Sequence, residues 1–287
     1  MMSFNIVDII GPILKKKVIA NAKVSASTYA GREKINLSPS QDFMCMTKAY
    51  FNFKYSGSGY LTVDPGEFSY ENERAKEVGN KAHEYIQSHL ESAKVVLLNE
   101  KTLIDEIHKI KARLDLVVEV NGQVYLVELK TAKSYGIKMM VEEGSPDIEH
   151  QKQVQLYFHL LDMMKDEPEI KEKLKGRTIN NAILLYEAKD DHKITEFFVK
   201  RNPAIIKDLL RYADVLHEHV KKGEEPNYKF EPDARECLWK CKPQYYLLCH
   251  GKERDLARNK PIIATPKDAP VWGGSEFRQV GNDDKFI

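Results

Sequence analysis

Apolar and polar residues alternate along residues 113–131, RLDLVVEVNGQVYLVELKT. Such alternation is typical of β-strands, and Asn121-Gly122 interrupts it near the middle. The Asn-Gly pair favours a two-residue type I′ turn, because both central positions of that turn need a positive φ. The segment therefore predicts a β-hairpin with Asn121 and Gly122 at its tip.

Pairing about this turn gives the predicted hairpin two different faces. One face is apolar and suited to a core, with three opposed pairs: Leu116 with Val127, Val118 with Tyr125, and Leu114 with Leu129. On the other face Asp115 lies opposite Glu128, and Arg113 and Lys130 form the next pair. Opposed like charges destabilise a strand pair, so the two facing carboxylates need an explanation other than folding.

The periodicity of apolar positions predicts the other main elements. Helices are expected over about 71–92, 148–164 and 202–221, and strands within KVVLL, TLIDEIHKIKA, NAILLYEAK and ITEFFVK. An earlier helix is expected to begin at Ser38, since Pro39 suits a first helical turn and Gln41 completes a capping box. The SGSG sequence at 56–59 predicts a mobile connection.

Length, composition and charge describe a globular protein with ample core. The chain has 287 residues, of which 42% are hydrophobic and 30% charged, and its net charge is +1. A charge near zero gives no global attraction to nucleic acid, so such binding would need local basic patches. We find no signal peptide, transmembrane helix, Walker-type loop or GxGxxG motif. These absences predict a cytoplasmic protein and argue against a motor or a dinucleotide enzyme.

Two close carboxylates beside a lysine have a direct chemical use. Asp115 and Glu128 would bind a hard divalent cation such as Mg²⁺ or Mn²⁺, which removes their mutual repulsion. Such an ion polarises a phosphodiester and lowers the pKa of a bound water. Lys130, two residues from the glutamate, would orient that water and stabilise developing negative charge. The alternative is an amphipathic hairpin whose outer face is merely polar.

The motifs around the hairpin resemble those of the PD-(D/E)xK nucleases, and among these the RecB-like exonuclease branch. Three motifs occur in the expected order within residues 36–255: G-x3-H at Gly79 and His83, the core motif at Asp115, Glu128 and Lys130, and Q-x3-Y at Gln153 and Tyr157. The resemblance implies an α/β fold, the restriction-endonuclease-like core, with a mixed central sheet flanked by helices. Residues 1–35 then form a basic lead-in, and residues 256–287 form a tail.

The resemblance also implies roles for single residues beyond the hairpin. His83 would be a metal ligand beside Asp115 and Glu128, and Gln153 and Tyr157 would line the site and contact substrate. Outside the motifs, Lys189 in LLYEAKD would be a DNA contact, as in phage-type members of the family. The alternative for His83, Gln153 and Tyr157 is an ordinary place on a helix, which is the interpretation we prefer for His150 and His159.

Four cysteines complete the resemblance, since Cys45 lies far upstream of Cys237, Cys241 and Cys249. This arrangement is similar to the iron–sulfur nucleases of the branch, the AddB-type proteins and the CRISPR-associated adaptation exonucleases. It implies a 4Fe–4S cluster that staples a helical lobe from both ends of the domain. The spacing C-x3-C-x7-C departs from the usual C-x2-C-x5-C. A zinc site, with His250 as an available ligand, and thiols without any metal are the alternatives.

Basic and aromatic residues surround the cysteine trio, among them Lys240 and Lys242. Such interleaving suits single-stranded DNA, although a solvated surface with buried aromatics is an equal alternative. The resemblance implies a metal-dependent exonuclease of DNA ends or single strands. Its setting would be recombination, repair, replication or CRISPR adaptation, in a cell or in a phage, where it could have a recombination or replication partner and would lie in the host cytoplasm. An endonuclease on the same core and a non-cleaving DNA-binding or scaffold subunit are the rival functions.

Overall fold

The computed structural model describes residues 15–17, 33–56, 70–227, 230, 232, 234, 237 and 243–250. Several predictions concern residues outside this set: most of the lead-in and of the SGSG connection, Lys240, Cys241, Lys242 and the tail. Residues 15–17, within a lead-in expected to be irregular, are helical. Within the described residues, no helix is long and apolar enough to cross a bilayer.

Seven helices and seven strands are named in the described part of the chain. The helices are α1 Met46–Lys54, α2 Tyr70–Ser92, α3 Ser134–Glu143, α4 Ile148–Met163, α5 Pro168–Leu174, α6 Pro203–Lys222 and α7 Pro243–His250. The strands are β1 Val96–Asn99, β2 Thr102–Asp105, β3 Ile110–Arg113, β4 Leu116–Val120, β5 Gln123–Ala132, β6 Asn181–Ala188 and β7 Ile194–Lys200. The predicted helices and strands from residue 71 to 221 are therefore confirmed to within a few residues.

The central sheet has five strands in the order β1-β4-β5-β6-β7. Its β5–β6 pair is parallel and its other pairs are antiparallel, so the sheet is mixed as expected. A right-handed crossover is the usual way to join parallel neighbours, and here α3, α4 and α5 lie between β5 and β6 in the chain. The parallel pair brings the C-terminal ends of β5 and β6 to the same edge of the sheet.

The predicted hairpin is confirmed over β4 and β5. Leu116 pairs with Val127, and Asn121 and Gly122 have φ of 52° and 77°, as a type I′ turn requires. The prediction that this ladder continues back to residue 113 is wrong. Arg113 lies on β3 and pairs with Thr102, because TLIDEIHKIKA forms its own two-stranded hairpin. The chain therefore changes partner immediately before β4, and Asp115 lies at the change.

Both faces of the β4–β5 hairpin are covered. The predicted apolar face packs beside Ile86 and Leu90 of α2, with Leu116, Val118, Val127 and Leu129 buried. The opposite face also enters a core, where Val117 and Leu126 pack with residues of α4. A merely polar outer face is therefore not the explanation of the carboxylates, because Glu128 points into the protein and is 2% exposed.

The start of the first helix differs from the prediction. Residues 38–44 form turns, and α1 begins at Met46 with Cys45 as its N-cap. The backbone N–H of Ser38 donates to the carboxylate of Asp42 at 2.7 Å, and the Asp42 N–H returns to the Ser38 carbonyl at 3.0 Å. This local exchange of hydrogen bonds competes with a helical turn. Helices α3, α5 and α7 were not predicted.

Candidate active site

Asp115 occupies the position where the chain leaves β3 and enters β4. Its carboxylate Oδ2 accepts a hydrogen bond from the backbone N–H of Leu129 at 2.8 Å, next to Glu128 on β5. A side chain thus takes a ladder hydrogen bond that the neighbouring strand would otherwise supply. Burial raises the pKa of the Asp115 carboxyl, and the Leu129 N–H opposes that rise.

Glu128 is the most strongly perturbed group of this region. Its Oε1 accepts from Lys130 Nζ at 2.5 Å and from Gln153 Nε2 at 2.7 Å. Its Oε2 is buried, and within the described residues no donor contacts that atom. Burial raises the pKa of Glu128 to about 8, against the opposing charge of Lys130. A buried carboxylate oxygen without a donor costs stability unless a proton or a cation completes it.

The face of α4 that covers these groups carries Gln153 and Tyr157, one helical turn apart. The Oε1 of Gln153 accepts from Lys130 Nζ at 3.0 Å, and its Nε2 donates to the Tyr157 hydroxyl at 2.6 Å. That hydroxyl donates in turn to the backbone carbonyl of Arg113 at 3.1 Å. The structure therefore brings both predicted residues to the carboxylates, where Tyr157 links α4 to the end of β3.

His83 reaches the site from α2 on the opposite side of the sheet. Its Nδ1 lies 4.0 Å from Asp115 Oδ2, and burial lowers its pKa, although the Asp115 charge opposes this. Gly79, one turn earlier, lies against β5, since a Cβ at this position would be 3.0 Å from the Thr131 Oγ1. The glycine thus lets α2 approach β5 closely enough for His83 to face Asp115.

The donor set suits a hard divalent cation. Asp115 offers a carboxylate just before β4 and Glu128 offers one on the neighbouring β5, and the Oε2 of Glu128 has no donor among the described residues. Mg²⁺ prefers oxygen ligands at about 2.1 Å, which places adjacent ligand atoms about 3 Å apart. The 4.0 Å separation of His83 from Asp115 is longer than this, so His83 would have to move inward to join the same ion.

The sequence matches one family along more than half of its length. The model of the PD-(D/E)XK nuclease superfamily matches residues 47–245. The chain belongs to the PD-(D/E)XK nuclease superfamily. Its mixed sheet, its D-x12-E-x-K hairpin and the buried carboxylates lie inside the matched range. A search of curated proteins finds no match.

Two proteins are among the solved structures to which the chain is similar. A structure titled "Crystal structure of SSO0001" has a TM-score of 0.48 and 18% identity, over 84% of this chain and 95% of that one. An alkaline exonuclease, LHK-Exo from Laribacter hongkongensis, has a TM-score of 0.40 and 11% identity, over 69% and 91%. Its complex with dAMP has a TM-score of 0.38 and 15% identity, over 69% and 93%.

Two further acids of this superfamily member lie near the site and were not predicted. Glu100 and Glu187 both raise the pKa of His83, although burial outweighs them. Glu100 is held by Gln87 at 2.9 Å and by Arg113 at 2.7 Å. Glu100 belongs to no motif noted in the sequence, and Glu187 lies in LLYEAKD, where only Lys189 was given a role. Their proximity results from the β3-to-β4 partner change and from the parallel β5–β6 pair, which only the fold reveals.

Lys189 lies on the same edge of the sheet as Lys130, just after β6. Its backbone N–H donates to the carbonyl of Ala132 at 2.8 Å, and its Nζ donates to the carbonyl of Ala75 on α2 at 3.4 Å. The predicted DNA contact therefore lies where β6 ends, next to the end of β5, and its ammonium contacts α2. The other two predicted contacts, Lys240 and Lys242, lie outside the described residues.

Three of the four predicted cluster ligands are described, and all three are buried: Cys45, Cys237 and Cys249. The backbone of Phe230 lies near two of them. The Sγ of Cys237 is 3.9 Å from the Phe230 carbonyl. Burial raises the pKa of the Cys45 thiol, and a hydrogen bond with the Phe230 backbone partly opposes that rise. Helices α1 and α7 also touch, where the Tyr245 hydroxyl donates to Asn52. Both ends of the domain therefore meet in this region.

Proposed function

We propose that the chain is a metal-dependent deoxyribonuclease that acts as an exonuclease on DNA ends or single-stranded DNA. One observation carries the proposal: the buried Oε2 of Glu128 has no donor among the described residues and lies beside Asp115, in a chain of the PD-(D/E)XK superfamily. A buried carboxylate oxygen without a donor, beside a second carboxylate, is expensive to fold. A divalent cation removes that cost and supplies hydrolytic chemistry.

Asp115 and Glu128 would hold Mg²⁺ or Mn²⁺, with His83 as a further ligand. When bound, the ion supplies Lewis-acid activation of a phosphodiester and of water. Lys130 donates to Glu128 at 2.5 Å in the structure, and its Nζ would turn toward the phosphate or toward the attacking water. Gln153 holds the glutamate and the lysine in a fixed relation, and Tyr157 anchors Gln153 from behind.

The same proposal includes a 4Fe–4S cluster on Cys45, Cys237, Cys241 and Cys249. The convergence of Cys45 and Cys237 on Phe230, and the packing of α1 on α7, support it. Such a cluster would be structural, since phosphodiester hydrolysis moves no electrons. The setting would be recombination, repair, replication or CRISPR adaptation in a cell or a phage, with Lys189, Lys240 and Lys242 contacting DNA.

Cleavage of single-stranded DNA labelled at either end tests the proposed activity. The wild type with Mn²⁺ or Mg²⁺ should shorten linear strands and leave circular strands intact, whereas Glu128→Gln should leave both substrates intact. Glu218→Gln is the matched control, because Glu218 is an exposed carboxylate on α6 that pairs with Lys222. Cut circles would identify an endonuclease instead, and DNA binding without cleavage would identify a non-cleaving subunit.

Anaerobic purification tests the cluster separately from the activity. The expected result is broad visible absorbance with about four iron and four sulfide per chain, both lost in Cys249→Ser. Zinc without iron, in an amount that falls by one per chain in Cys249→Ser, would identify the zinc alternative. If the cysteines bound neither iron nor zinc, the cluster proposal would be wrong and the nuclease proposal would be unaffected.

A further inference from the structure

Away from Asp115 and Glu128 and the β4–β5 hairpin (here called the carboxylate hairpin), two imidazoles contact one buried acid. The Oδ2 of Asp105 lies 2.7 Å from His108 Nδ1 and 2.7 Å from His159 Nε2. Three donor atoms, one from each residue, lie within 4.8 Å of one another. Asp105 ends β2, His108 lies in the turn to β3, and His159 lies on α4, so the β2–β3 hairpin and α4 together supply the group.

We propose that Asp105, His108 and His159 form a second metal site that binds Zn²⁺. Two imidazole nitrogens and one carboxylate oxygen are ligands that zinc accepts, whereas Mg²⁺ prefers oxygen ligands alone. Zinc bonds of about 2.0–2.1 Å place tetrahedral ligands about 3.3 Å apart. The observed 2.7 Å separations therefore need an opening of about half an ångström on each side to admit the ion.

The surroundings of His108 support this assignment. Its other ring nitrogen, Nε2, lies 3.8 Å from the Oδ2 of Asp214 on α6. A ligating histidine commonly directs its second nitrogen at a carboxylate, which fixes the ring and its tautomer. With zinc on Nδ1, the ring proton would occupy Nε2 and face Asp214. His217, also on α6, donates through Nε2 to the His108 carbonyl at 3.1 Å and holds that turn in place.

The hydrogen bonding and exposure of the group also suit an ion. The backbone N–H groups of Ile107 and His108 donate to Asp105 Oδ1 at 2.8 and 3.2 Å, so the Oδ2 is the oxygen that faces the two imidazoles. The side chains of His108 and His159 are 19% and 14% exposed. Solvent therefore reaches the side of the group that Asp105 does not occupy, where a water would complete four-coordination.

A zinc ion at this site would cross-link the β2–β3 hairpin to α4. The hairpin already contacts α4 at its other end, where Tyr157 donates to the carbonyl of Arg113. Zinc at Asp105 and His159 would fix the second point of contact. The site does not depend on the proposed nuclease activity, since it shares no residue with the carboxylate hairpin.

Zinc content and thermal unfolding of the full chain test the site by difference. Wild type and a His108→Gln/His159→Gln variant share the cysteines and the carboxylate hairpin, so any zinc bound there cancels. After dialysis against zinc and removal of weakly held metal, we expect one zinc fewer per chain in the variant. Added ZnCl₂ should raise the unfolding temperature of the wild type by more than that of the variant.

Histidine NMR of the wild type gives an answer even if the variant fails to fold. With ¹⁵N-labelled histidines, added ZnCl₂ should shift His108 Nδ1 and His159 Nε2 to the range of metal-bound nitrogens, with signals assigned by the single variants. Equal zinc content in the two proteins, or unshifted ring nitrogens in the wild type, would overturn the site and leave a hydrogen-bonded Asp–His group only.

Discussion

The side-chain amide of Gln153 contacts Glu128 and Lys130 at the same time. Its Nε2 donates to Glu128 Oε1 at 2.7 Å and its Oε1 accepts from Lys130 Nζ at 3.0 Å. An amide has one donor end and one acceptor end, so this orientation suits both partners and the reverse suits neither. Gln153 thereby sets the position of a buried carboxylate relative to an ammonium on the same strand.

Gln153→Ala should lower the rate of metal-dependent DNA cleavage by about 10- to 100-fold, because groups that orient metal ligands have effects of that size. Part of the loss should be recovered at high Mn²⁺ concentration, because Glu128 can then bind metal although the hydrogen bond from Gln153 is missing. Steady-state cleavage over a metal titration measures both effects. Gln123→Ala removes an exposed amide on the same strand pair and serves as control; equal rates for wild type and Gln153→Ala would contradict the orienting role.

Tyr157→Phe should behave differently, because the hydroxyl of Tyr157 is buried and donates to the Arg113 carbonyl. Loss of this hydrogen bond leaves a carbonyl without its donor and should lower the free energy of unfolding by about 1–2 kcal/mol. Cleavage should stay within a few-fold of wild type. Urea unfolding and cleavage assays on Tyr157→Phe measure the two, with Tyr125→Phe as control because the Tyr125 hydroxyl donates to Gln123 at the surface. A large loss of cleavage at unchanged stability would instead make the phenol a substrate contact.

Gly79→Ala should reduce cleavage through the position of α2. The added Cβ would lie 3.0 Å from Thr131 Oγ1, closer than side chains normally pack, so the two must move apart by a few tenths of an ångström. We expect α2 to take part in this shift, which would move His83, one turn along the helix, away from Asp115. Helix propensity favours alanine by about 1 kcal/mol, which offsets the crowding in overall stability. Activity should therefore fall more clearly than the unfolding temperature.

Removal of the opposing atom isolates this effect. In a Thr131→Ala background the same Gly79→Ala change should cost little activity and should raise stability, because only the helix propensity remains. A double-mutant cycle in cleavage rate and unfolding free energy measures the coupling. If Gly79→Ala lowered activity equally in both backgrounds, contact with Thr131 would not be the reason for the glycine.

The hairpin could be predicted from sequence because its determinants are local. Asn121-Gly122 fixes the turn, and period-two alternation then fixes which side chains share a face. The same reasoning predicted that Asp115 and Glu128 come together, and the structure brings them together. The motif resemblance placed His83, Gln153 and Tyr157 near them, which local periodicity alone does not do.

The contacts that the sequence did not reveal depend on changes of strand partner. Arg113 pairs with Thr102, so Asp115 meets Glu128 at a break in the ladder rather than inside it. Asp105 and His159 are 54 positions apart and carry no spacing motif. A pattern of hydrophobic residues reports which residues are buried, and it contains no information on which buried polar groups meet.

Glu128→Gln should stabilise the metal-free protein at high pH. Burial raises the native pKa of Glu128 to about 8 from an ordinary value of 4.5, so the folded state holds its proton more tightly than the unfolded state. The wild type should therefore lose stability as the pH rises between these values. Glutamine resembles the protonated acid and does not titrate, so the stability of the variant should not fall in this way. The advantage of Glu128→Gln should grow from near zero at about pH 5 to the order of 3–5 kcal/mol at about pH 9.

Urea unfolding in EDTA across this pH range measures the difference. Glu119→Gln, on the neighbouring strand and paired with Arg177 at the surface, should show no such growth. Saturating Mn²⁺ should then remove the advantage of Glu128→Gln. At high pH the wild-type Glu128 has lost its proton, and a bound cation would offset the free-energy cost of burying the charged carboxylate. An advantage that persisted unchanged in Mn²⁺ would mean that the burial of Glu128 has no connection with metal binding.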